Sequence, residues 1–450
     1  MKKYYELHKG SNLDILPELI KQGIKVDSIV TDPPYHLTSI VKRFGKTTLN
    51  ADTQTSERSR NKSDGMARLA KGFMGKSWDG GDIAYNVDLW KMCYEVLKPG
   101  GYLLAFGGTR TQHRMVCAIE DAGFEIRDQM AWMYASGMPK SLNIGKAIDK
   151  HFKKTRTEVI GSKGLHNFNG ELEGRNILGK EGRTFQEADA IMKPVTPEAE
   201  QWEGWGTGLK PAWEPICVAR KPIEGTVAKN IMKYGTGGMN IEGSRVPLDM
   251  ALDQGQLRTM KRSKREDDTS GQTWGFSKTE GDEPQVVSEK GRWPANFIHD
   301  GSEEVMDEFA KYGVLKSGYN CTRTKEGYFG AGDTRHGGLG EEGDVQVTYG
   351  DSGSAARFFY CAKASSDDRG SSKHPTIKPL SLMSYLVKLV TPPSGVVLDI
   401  FAGSGTTGYA AAELGFYPIM IERDPEYQKD ILDRMSKFDN DPFYQLFNME

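Results

Sequence analysis

The sequence predicts an α/β fold in which a mostly parallel sheet carries helices on both faces. Short apolar runs alternate with amphipathic helical segments up to about residue 134, and the same alternation returns after about residue 356. Two of the apolar runs lead directly into turns rich in acidic, aromatic or glycine residues, as strands do at the ligand-binding edge of such a sheet. Both ends of the chain therefore contribute strands to the predicted sheet.

The N-terminal elements follow from apolar periodicity and from their boundary residues. Apolar runs of strand length occur at residues 3–8, 26–31, 102–106, 126–134 and 214–219. Helical spacing of apolar residues occurs at 14–20, 90–97 and 111–122. The segment 98–101, Lys-Pro-Gly-Gly, predicts a turn, and Gly123 suits the end of the third helix.

The C-terminal elements repeat the alternation. A strand-like segment at 357–362 precedes a helix at 379–390, whose leucines lie on one face. The strand Val396–Phe401 runs through a glycine-rich turn into an alanine-rich helix at 409–414. The last strand is predicted at 416–421.

Composition limits the class of protein. The chain has 450 residues, a formal net charge of −2 and five scattered cysteines without a CxxC pair, so we expect no metal site and a reducing, cytoplasmic location. No apolar run approaches the ~20 residues of a membrane span, and the first residues lack the apolar stretch of a signal peptide. We therefore expect no membrane partner.

The first chemical constellation is the turn Asp32-Pro33-Pro34-Tyr35, directly after the strand at 26–31. A carboxylate and the Pro33 carbonyl can each accept a hydrogen bond from a planar amine, and the ring of Tyr35 can stack on a flat base. An ordinary strand-to-loop turn uses the same residue types, so the motif alone does not decide between the two interpretations.

The second constellation joins a glycine-rich turn to an acidic residue. Gly403-Ser404-Gly405-Thr406-Thr407-Gly408 follows one strand, and Glu422 stands at the tip of the next, where it can take both hydroxyls of a ribose. A dinucleotide would bring a pyrophosphate to this turn. The negative charge of Asp399, with that of Asp32, favours the sulfonium of S-adenosylmethionine instead.

Together these motifs resemble the DNA amino-methyltransferases that use S-adenosylmethionine. The amine-binding turn comes first and the cofactor loop last, an order similar to the circularly permuted beta group of that family. The segments at 291–296 and 357–360 are similar to phage-borne and mobile-element adenine-specific members. The resemblance implies a Rossmann-like, permuted methyltransferase fold with a large inserted target-recognition region.

The resemblance also implies residue roles. Asp32, Pro33, Pro34 and Tyr35 would form the catalytic turn. The cofactor would be bound by residues around the glycine-rich turn, by the segment before the 379–390 helix, and near its adenine by an N-terminal acid, namely Asp399, Phe401, Ala402, Gly403, Ser404, Gly405, Thr406, Thr407, Glu422, Thr376, Lys378, Pro379 and Asp14.

The implied domains are a catalytic half at 1–150, an insertion at 151–205, a returning core strand at 206–222, a target-recognition region at 223–355 and a cofactor-binding half at 356–450. Two segments within them have loop-like composition: the basic stretch 36–75, with DNA-binding candidates Lys42, Arg43 and Lys46, and 250–291, predicted to be disordered.

The predicted activity is therefore methyl transfer to N6 of an adenine that is flipped out of double-stranded DNA. Methylation of cytosine N4 on the same scaffold is the nearest alternative, since in the family aspartate at position 32 favours adenine and serine favours cytosine. Methylation of RNA or of a protein amide, an NAD-dependent oxidoreductase and a non-catalytic DNA-binding protein are more distant alternatives. The sequence leaves open a homodimer and a cognate restriction enzyme.

Overall fold

The structure is a computed structural model of the chain. It describes residues 4–35, 82–137, 141–162, 190–247, 291–311, 315–317, 321–325, 328–329, 345–346, 351–362, 368 and 377–439. The chain divides into two compact units, Met1–Ala135 with Trp213–Glu450, and Ser136–Ala212. None of the helices in these described ranges is long and apolar enough to cross a membrane.

The strands of the described residues are, in chain order, β1 Glu6–Lys9, β2 Val26–Thr31, β3 Leu97–Phe106, β4 Glu125–Met133, β5 Val159–Ser162, β6 Ala190–Met192, β7 Trp213–Arg220, β8 Phe297–His299, β9 Leu315–Ser317, β10 Cys321–Lys325, β11 Tyr328–Phe329, β12 Val345–Gln346, β13 Asp351–Gly353, β14 Tyr360–Cys361, β15 Val396–Asp399 and β16 Tyr417–Glu422. The α-helices are α1 Asn12–Lys21, α2 Val87–Val96, α3 Gln112–Asp121, α4 Ile144–His151, α5 Pro197–Gln201, α6 Val227–Tyr234, α7 Glu303–Lys311, α8 Leu380–Val390, α9 Thr406–Glu413 and α10 Pro425–Asp439.

Nine of these strands form the central sheet, in the order β1-β16-β15-β2-β3-β7-β4-β8-β14. Neighbouring strands are parallel except at β7, which is antiparallel to both β3 and β4. This confirms the mostly parallel sheet predicted from the sequence. Strands from the two ends of the chain lie side by side, because β15 pairs with β2 and β16 pairs with β1.

Two buried clusters lie on opposite faces of this sheet. In β2, Ile29 belongs to the cluster that contains side chains of α1, α2 and α3, whereas Val30 belongs to the cluster that contains side chains of α8 and α9. Leu103 and Leu104 of β3 divide in the same way, because successive side chains of a strand point to opposite faces. Helices therefore cover both faces, as predicted.

Strand β3 is longer than predicted, because it begins at Leu97 and includes the segment 98–101, which the sequence predicts as a turn. The segment is irregular, because Gly100 has a left-handed φ of +81° and the pairing with β2 shifts from Val26–Leu97 to Ser28–Tyr102. The predicted turn is therefore present as a bulge within β3, where the Lys221 backbone N–H donates to the Gly101 carbonyl at 2.9 Å. At Gly101 an added Cβ would lie 2.8 Å from the Asp27 carbonyl oxygen, so this strand approaches β2 closely. These contacts are long-range, and a local turn signal cannot reveal them.

The start of α9 and the presence of β8 also differ from the predictions. Helix α9 begins at Thr406, earlier than the predicted 409, because Gly405 in the left-handed conformation serves as its N-cap. Strand β8, within the segment 223–355, was not predicted, and its three residues are too few to show a periodicity. It pairs in parallel with β4, so this part of the segment belongs to the central sheet.

The smaller unit, 136–212, contains helices α4 and α5 and the antiparallel pair β5 and β6. Arg156, whose side chain is 7% exposed, donates to Asp149 at 2.7 Å and to Glu203 at 2.8 Å, so one guanidinium ties three segments of the unit together. The predicted insertion at 151–205 lies within this unit. The basic loop 36–75 and, apart from Gly291, the segment 250–291 lie outside the described residues.

Candidate active site

The two constellations meet at one edge of the sheet. Asp32 directly follows β2, and Asp399 ends the adjacent strand β15, where Leu398 pairs with Ile29. The Thr31 hydroxyl donates to Asp399 Oδ1 at 2.7 Å and thereby joins the two strand ends across 368 positions of sequence. Parallel strands place their carboxyl ends at the same edge, which is where open α/β sheets bind ligands.

The two carboxylate oxygens of Asp32 differ in their surroundings. Oδ2 accepts a hydrogen bond from the Lys378 ammonium at 2.7 Å. Oδ1 is buried and has no hydrogen-bond partner within the described part of the chain. Leaving a buried acceptor unsatisfied costs about 1–3 kcal/mol, so such an atom is typical of a site that receives a donor from a ligand.

Lys378 lies between two carboxylates. Its side chain is 8% exposed, and its ammonium is 3.1 Å from Glu214 Oε2 in addition to its contact with Asp32. Burial opposes the positive charge, but Asp32 and Glu214 together raise the pKa of Lys378 above its ordinary value. The lysine is therefore an ammonium at neutral pH.

Tyr35 is fixed at both its backbone and its hydroxyl. The hydroxyl donates to Glu214 Oε2 at 2.9 Å, and the Thr111 hydroxyl donates to the Tyr35 carbonyl at 2.8 Å. The side chain packs on Gly108, where an added Cβ would lie 3.3 Å from ring atoms. Burial, with the charges of Asp32 and Glu214, raises the pKa of Tyr35 well above its ordinary value, so the phenol stays neutral.

Glu214 is a site residue that the sequence analysis did not identify. It stands at the start of β7, which is antiparallel, so its end of the strand lies at the edge where β3 and β4 finish. Tyr134, beyond the end of β4, donates to Glu214 Oε1 at 3.3 Å. The available sequence signal was an acidic residue at the border of an apolar strand, which is too common to indicate function on its own.

Glu422, at the end of β16, binds the backbone of the glycine-rich turn. Glu422 Oε2 accepts from the Gly403 backbone N–H at 2.8 Å, and Oε1 accepts from that of Asp424 at 2.7 Å. Burial raises the pKa of Glu422 to about 6, against the effect of these two hydrogen bonds. Each oxygen has a second lone pair, so the carboxylate can still accept from a ligand hydroxyl.

Asp399, at the end of β15, directly precedes the segment that leads into the same turn. Its Oδ1 also accepts from the Phe401 backbone N–H at 3.1 Å. Burial raises the pKa of Asp399 to about 6, although hydrogen bonds from Thr407, Thr31 and Phe401 lower it. At neutral pH both carboxylates are mostly ionised, which leaves negative charge next to the glycine-rich turn.

The remaining candidates lie around this loop or outside the described residues. Ala402, Ser404, Thr406 and Thr407 are buried in the turn and the start of α9, and Arg434 donates to the Thr406 hydroxyl at 3.2 Å. Pro379 caps α8, next to Lys378. Thr376 lies outside the described residues.

Asp14 is exposed in the first turn of α1, whereas its neighbour Asn12 is buried. The Asn12 amide donates to the Ile400 carbonyl at 3.2 Å and so ties α1 to the segment that leads into the glycine-rich turn. Binding of the cofactor adenine by Asp14 stays a prediction. Pro33 is buried and Pro34 partly buried, and their roles also stay predictions.

We expect Gly405→Ala to weaken both folding and cofactor binding. Gly405 has a φ of +80°, and an added Cβ would lie 3.0 Å from Ile431 Cγ1. The left-handed conformation and this contact together should lower the free energy of unfolding by about 1–3 kcal/mol.

The matched control for this prediction is Gly415→Ala. Gly415 has a φ of +77° and no heavy atom within 4 Å of an added Cβ, so only the conformational cost of about 1–2 kcal/mol applies. Denaturant titration and calorimetry with S-adenosylmethionine measure the two effects. Equal losses of cofactor affinity in both variants would contradict a specific role for the turn.

Comparison with known proteins gives the family. The N6_N4_Mtase family, described as DNA methylase, matches residues 26–433. The Type II methyltransferase M.HindIII of Haemophilus influenzae is 40% identical over 354 residues, which are 78% of this chain and 68% of that protein. The Type II methyltransferase M.HinfI of Haemophilus influenzae is 44% identical over 61 residues, only 14% of this chain and 17% of that protein.

Two solved structures match with low scores. The match to the M1.HpyAVI–SAM complex covers 96% of this chain and 98% of that protein, at 14% identity and with a TM-score of 0.36. The match to the PvuII DNA methyltransferase (cytosine-N4-specific) covers 96% of this chain and 88% of that protein, at 13% identity and with a TM-score of 0.35. Because these TM-scores are low, we draw nothing from the two matches.

The family match extends from β2 to α10 and thus includes both the turn at Asp32 and the loop at Gly403. It argues against the NAD-dependent oxidoreductase that the second constellation alone would allow. The methyl donor of the family is S-adenosylmethionine. The chain therefore belongs to the N6_N4 family and is a DNA methyltransferase.

Proposed function

We propose that this chain transfers a methyl group from S-adenosylmethionine to the exocyclic N6 of an adenine flipped out of duplex DNA at a specific sequence. The observation that carries the proposal is the Asp32 carboxylate, with Oδ2 anchored by Lys378 and Oδ1 buried and unpaired among the described residues. That oxygen is an acceptor for an N–H of the target amine. The aspartate at position 32 also supports adenine as the target, because the family that the chain resembles has aspartate there in adenine-specific members and serine in cytosine-specific ones.

The chemical difficulty lies in the amine, because its lone pair is delocalised into the purine ring. Asp32 Oδ1 and the Pro33 carbonyl are the two acceptors proposed to hold its N–H groups. Two such bonds draw the nitrogen toward tetrahedral geometry and make the lone pair available to an electrophilic carbon. Positioning and charge placement then supply most of the rate, and no protein nucleophile is needed.

The residues around the glycine-rich turn fit a nucleoside cation. Gly403 and Gly405 adopt left-handed conformations with φ of +54° and +80°, so the backbone can approach a ligand without a Cβ. Glu422 and Asp399 place two buried carboxylates at the ends of adjacent strands. S-adenosylmethionine, when bound, supplies an electrophilic methyl carbon. Glu422 would accept from its ribose, and Asp399 would favour its positive charge.

The flipped base needs a stacking surface, and we assign this role to Tyr35. Extruding a base costs a few kcal/mol, and stacking on an aromatic ring returns about 1–3 kcal/mol. Because Glu214, Thr111 and Gly108 fix the residue, little side-chain entropy is lost when a base binds. Tyr35→Phe should therefore keep more activity than Tyr35→Ala.

The finer classification is also part of the proposal. The order of the motifs along the chain supports a permuted beta-group enzyme of the phage or mobile-element type. The Type II names of the relatives support a place in a restriction-modification system with a cognate restriction enzyme. We assign DNA contacts to Lys42, Arg43 and Lys46 on charge alone.

The deciding experiment identifies the methylated nucleoside. The purified chain is incubated with unmethylated genomic DNA and isotope-labelled S-adenosylmethionine, and the DNA is digested to nucleosides for mass spectrometry. We expect label in N6-methyldeoxyadenosine. Label in N4-methyldeoxycytidine would replace the proposal by its nearest alternative, and no label in DNA would overturn it.

A further inference from the structure

Glu214 occupies a central position that no catalytic motif of the sequence accounts for. Its Oε2 contacts both the Lys378 ammonium, at 3.1 Å, and the Tyr35 hydroxyl, at 2.9 Å, while Oε1 accepts from Tyr134. The Lys378 ammonium is in turn 2.7 Å from Asp32 Oδ2. Glu214 therefore reaches Asp32 through a single lysine and does not itself occupy the position of the unpaired oxygen.

The charges of this group do not cancel. Lys378 contributes one positive charge, and Asp32 and Glu214 contribute two negative ones, so one negative charge remains in excess. Tyr35 and Tyr134 are neutral donors in the same group, because burial and Glu214 raise the pKa of both phenols. The surplus matters because methyl transfer moves positive charge onto the amine nitrogen.

On the basis of the proposed function, we propose that Glu214 is a positioning residue for methyl transfer: it balances the charge of Lys378, so that Asp32 keeps its negative charge for the amine that becomes cationic. The lysine contacts Asp32 through Oδ2. Oδ1 is thereby left as the acceptor for the amine.

Removing the charge of Glu214 should leave Asp32 as the one carboxylate that contacts Lys378 among the described residues, beside the Tyr35 hydroxyl at 3.1 Å. The ammonium would then neutralise the carboxylate, and the developing cation on the amine would lose its electrostatic partner. Removing the charge of Lys378 as well should leave the negative charge of Asp32 unbalanced again, so that it is available to the cationic amine. A role in packing alone predicts the opposite, because the second substitution would then add to the damage.

The test begins with Glu214→Gln, which keeps the shape and one acceptor for a tyrosine hydroxyl. We expect kcat to fall about 10–100-fold in the labelled-methyl assay on genomic DNA, with the affinity for S-adenosylmethionine by calorimetry unchanged within about twofold. Glu224→Gln is the matched control, because Glu224 Oε2 also accepts from a lysine and a tyrosine, Lys233 and Tyr234, away from the active site. It should keep the kcat of the unmodified chain.

The second step is a double-mutant cycle with Lys378→Met. We expect Glu214→Gln with Lys378→Met to be about 10-fold faster than Glu214→Gln alone, while melting temperatures show that all variants fold. A double variant slower than Glu214→Gln, or a Glu214→Gln variant with full kcat, would overturn the inference and leave the proposed function intact. If the unmodified chain transfers no methyl group to DNA, the proposed function fails first and the inference fails with it.

Discussion

Replacing Asp32 with asparagine is expected to slow methyl transfer at least about 100-fold while leaving the affinity for S-adenosylmethionine within about twofold. Asparagine has nearly the same shape, but it lacks the charge and presents one amide group where aspartate has an acceptor. Either the contact with Lys378 or the acceptor at Oδ1 is then lost. The developing positive charge on the amine also loses its nearest carboxylate.

The measurements are kcat on genomic DNA, calorimetric titration with the cofactor and a thermal melt. Asp121→Asn serves as the control, because Asp121 is exposed at the end of α3 and should tolerate the change in all three. Retention of more than about a tenth of the activity by Asp32→Asn would contradict the role of Asp32 as the amine acceptor.

The two constellations were predictable because their signals are local. The turn at Asp32 follows a strand whose predicted bounds match β2, and the glycine-rich turn at Gly403 leads from β15 into α9 as expected. Their convergence follows from the rule that ligands bind at the carboxyl edge of an open α/β sheet. The β2–β15 pairing confirms that the two strands are neighbours.

The rest of the site was not predictable, because it depends on contacts between residues far apart in sequence. Lys378 was assigned to the cofactor by its segment, yet its ammonium lies against Asp32, 346 positions away. Glu214 contacts Tyr35 only because β7 is reversed in the sheet, which brings the first residues of that strand to the functional edge. Periodicity identifies a strand but does not give its direction, so the partners of Glu214 required the structure.

Replacing Glu422 with glutamine should weaken the binding of S-adenosylmethionine about 10–100-fold, because a hydrogen bond to a charged acceptor is worth about 1.5–3 kcal/mol. The amide also cannot accept from both Gly403 and Asp424, so the loop loses one of its two anchors. Calorimetry measures the loss. Glu120→Gln, an exposed change on α3, is the control that should bind with full affinity.

The affinity for S-adenosylmethionine should also fall as the pH drops below about 6. The pKa values of Asp399 and Glu422 are both raised to about 6 in the free protein, so both acids take up protons there and lose the charge that favours the sulfonium and the ribose hydroxyls. Each protonation weakens binding by up to about tenfold per pH unit, since a shift of one unit corresponds to ~1.4 kcal/mol. The folding stability of the free protein depends on pH in the opposite direction. Because the pKa values of the two carboxylates are raised, the folded state binds more protons than the unfolded chain. Their contribution to stability therefore decreases as the pH rises through 6.

Calorimetry between about pH 5 and pH 8, in buffers of different ionisation enthalpy, counts the protons released when the cofactor binds. The unmodified chain should release protons from two groups below pH 6, whereas Glu422→Gln should release them from Asp399 alone, which gives a shallower dependence of affinity on pH. If Glu422→Gln shows the same dependence of affinity on pH as the unmodified chain, the Glu422 carboxylate does not ionise on binding. Ribose recognition would then have to be assigned to another residue. The proton count therefore separates the two acids without any measurement of methyl transfer.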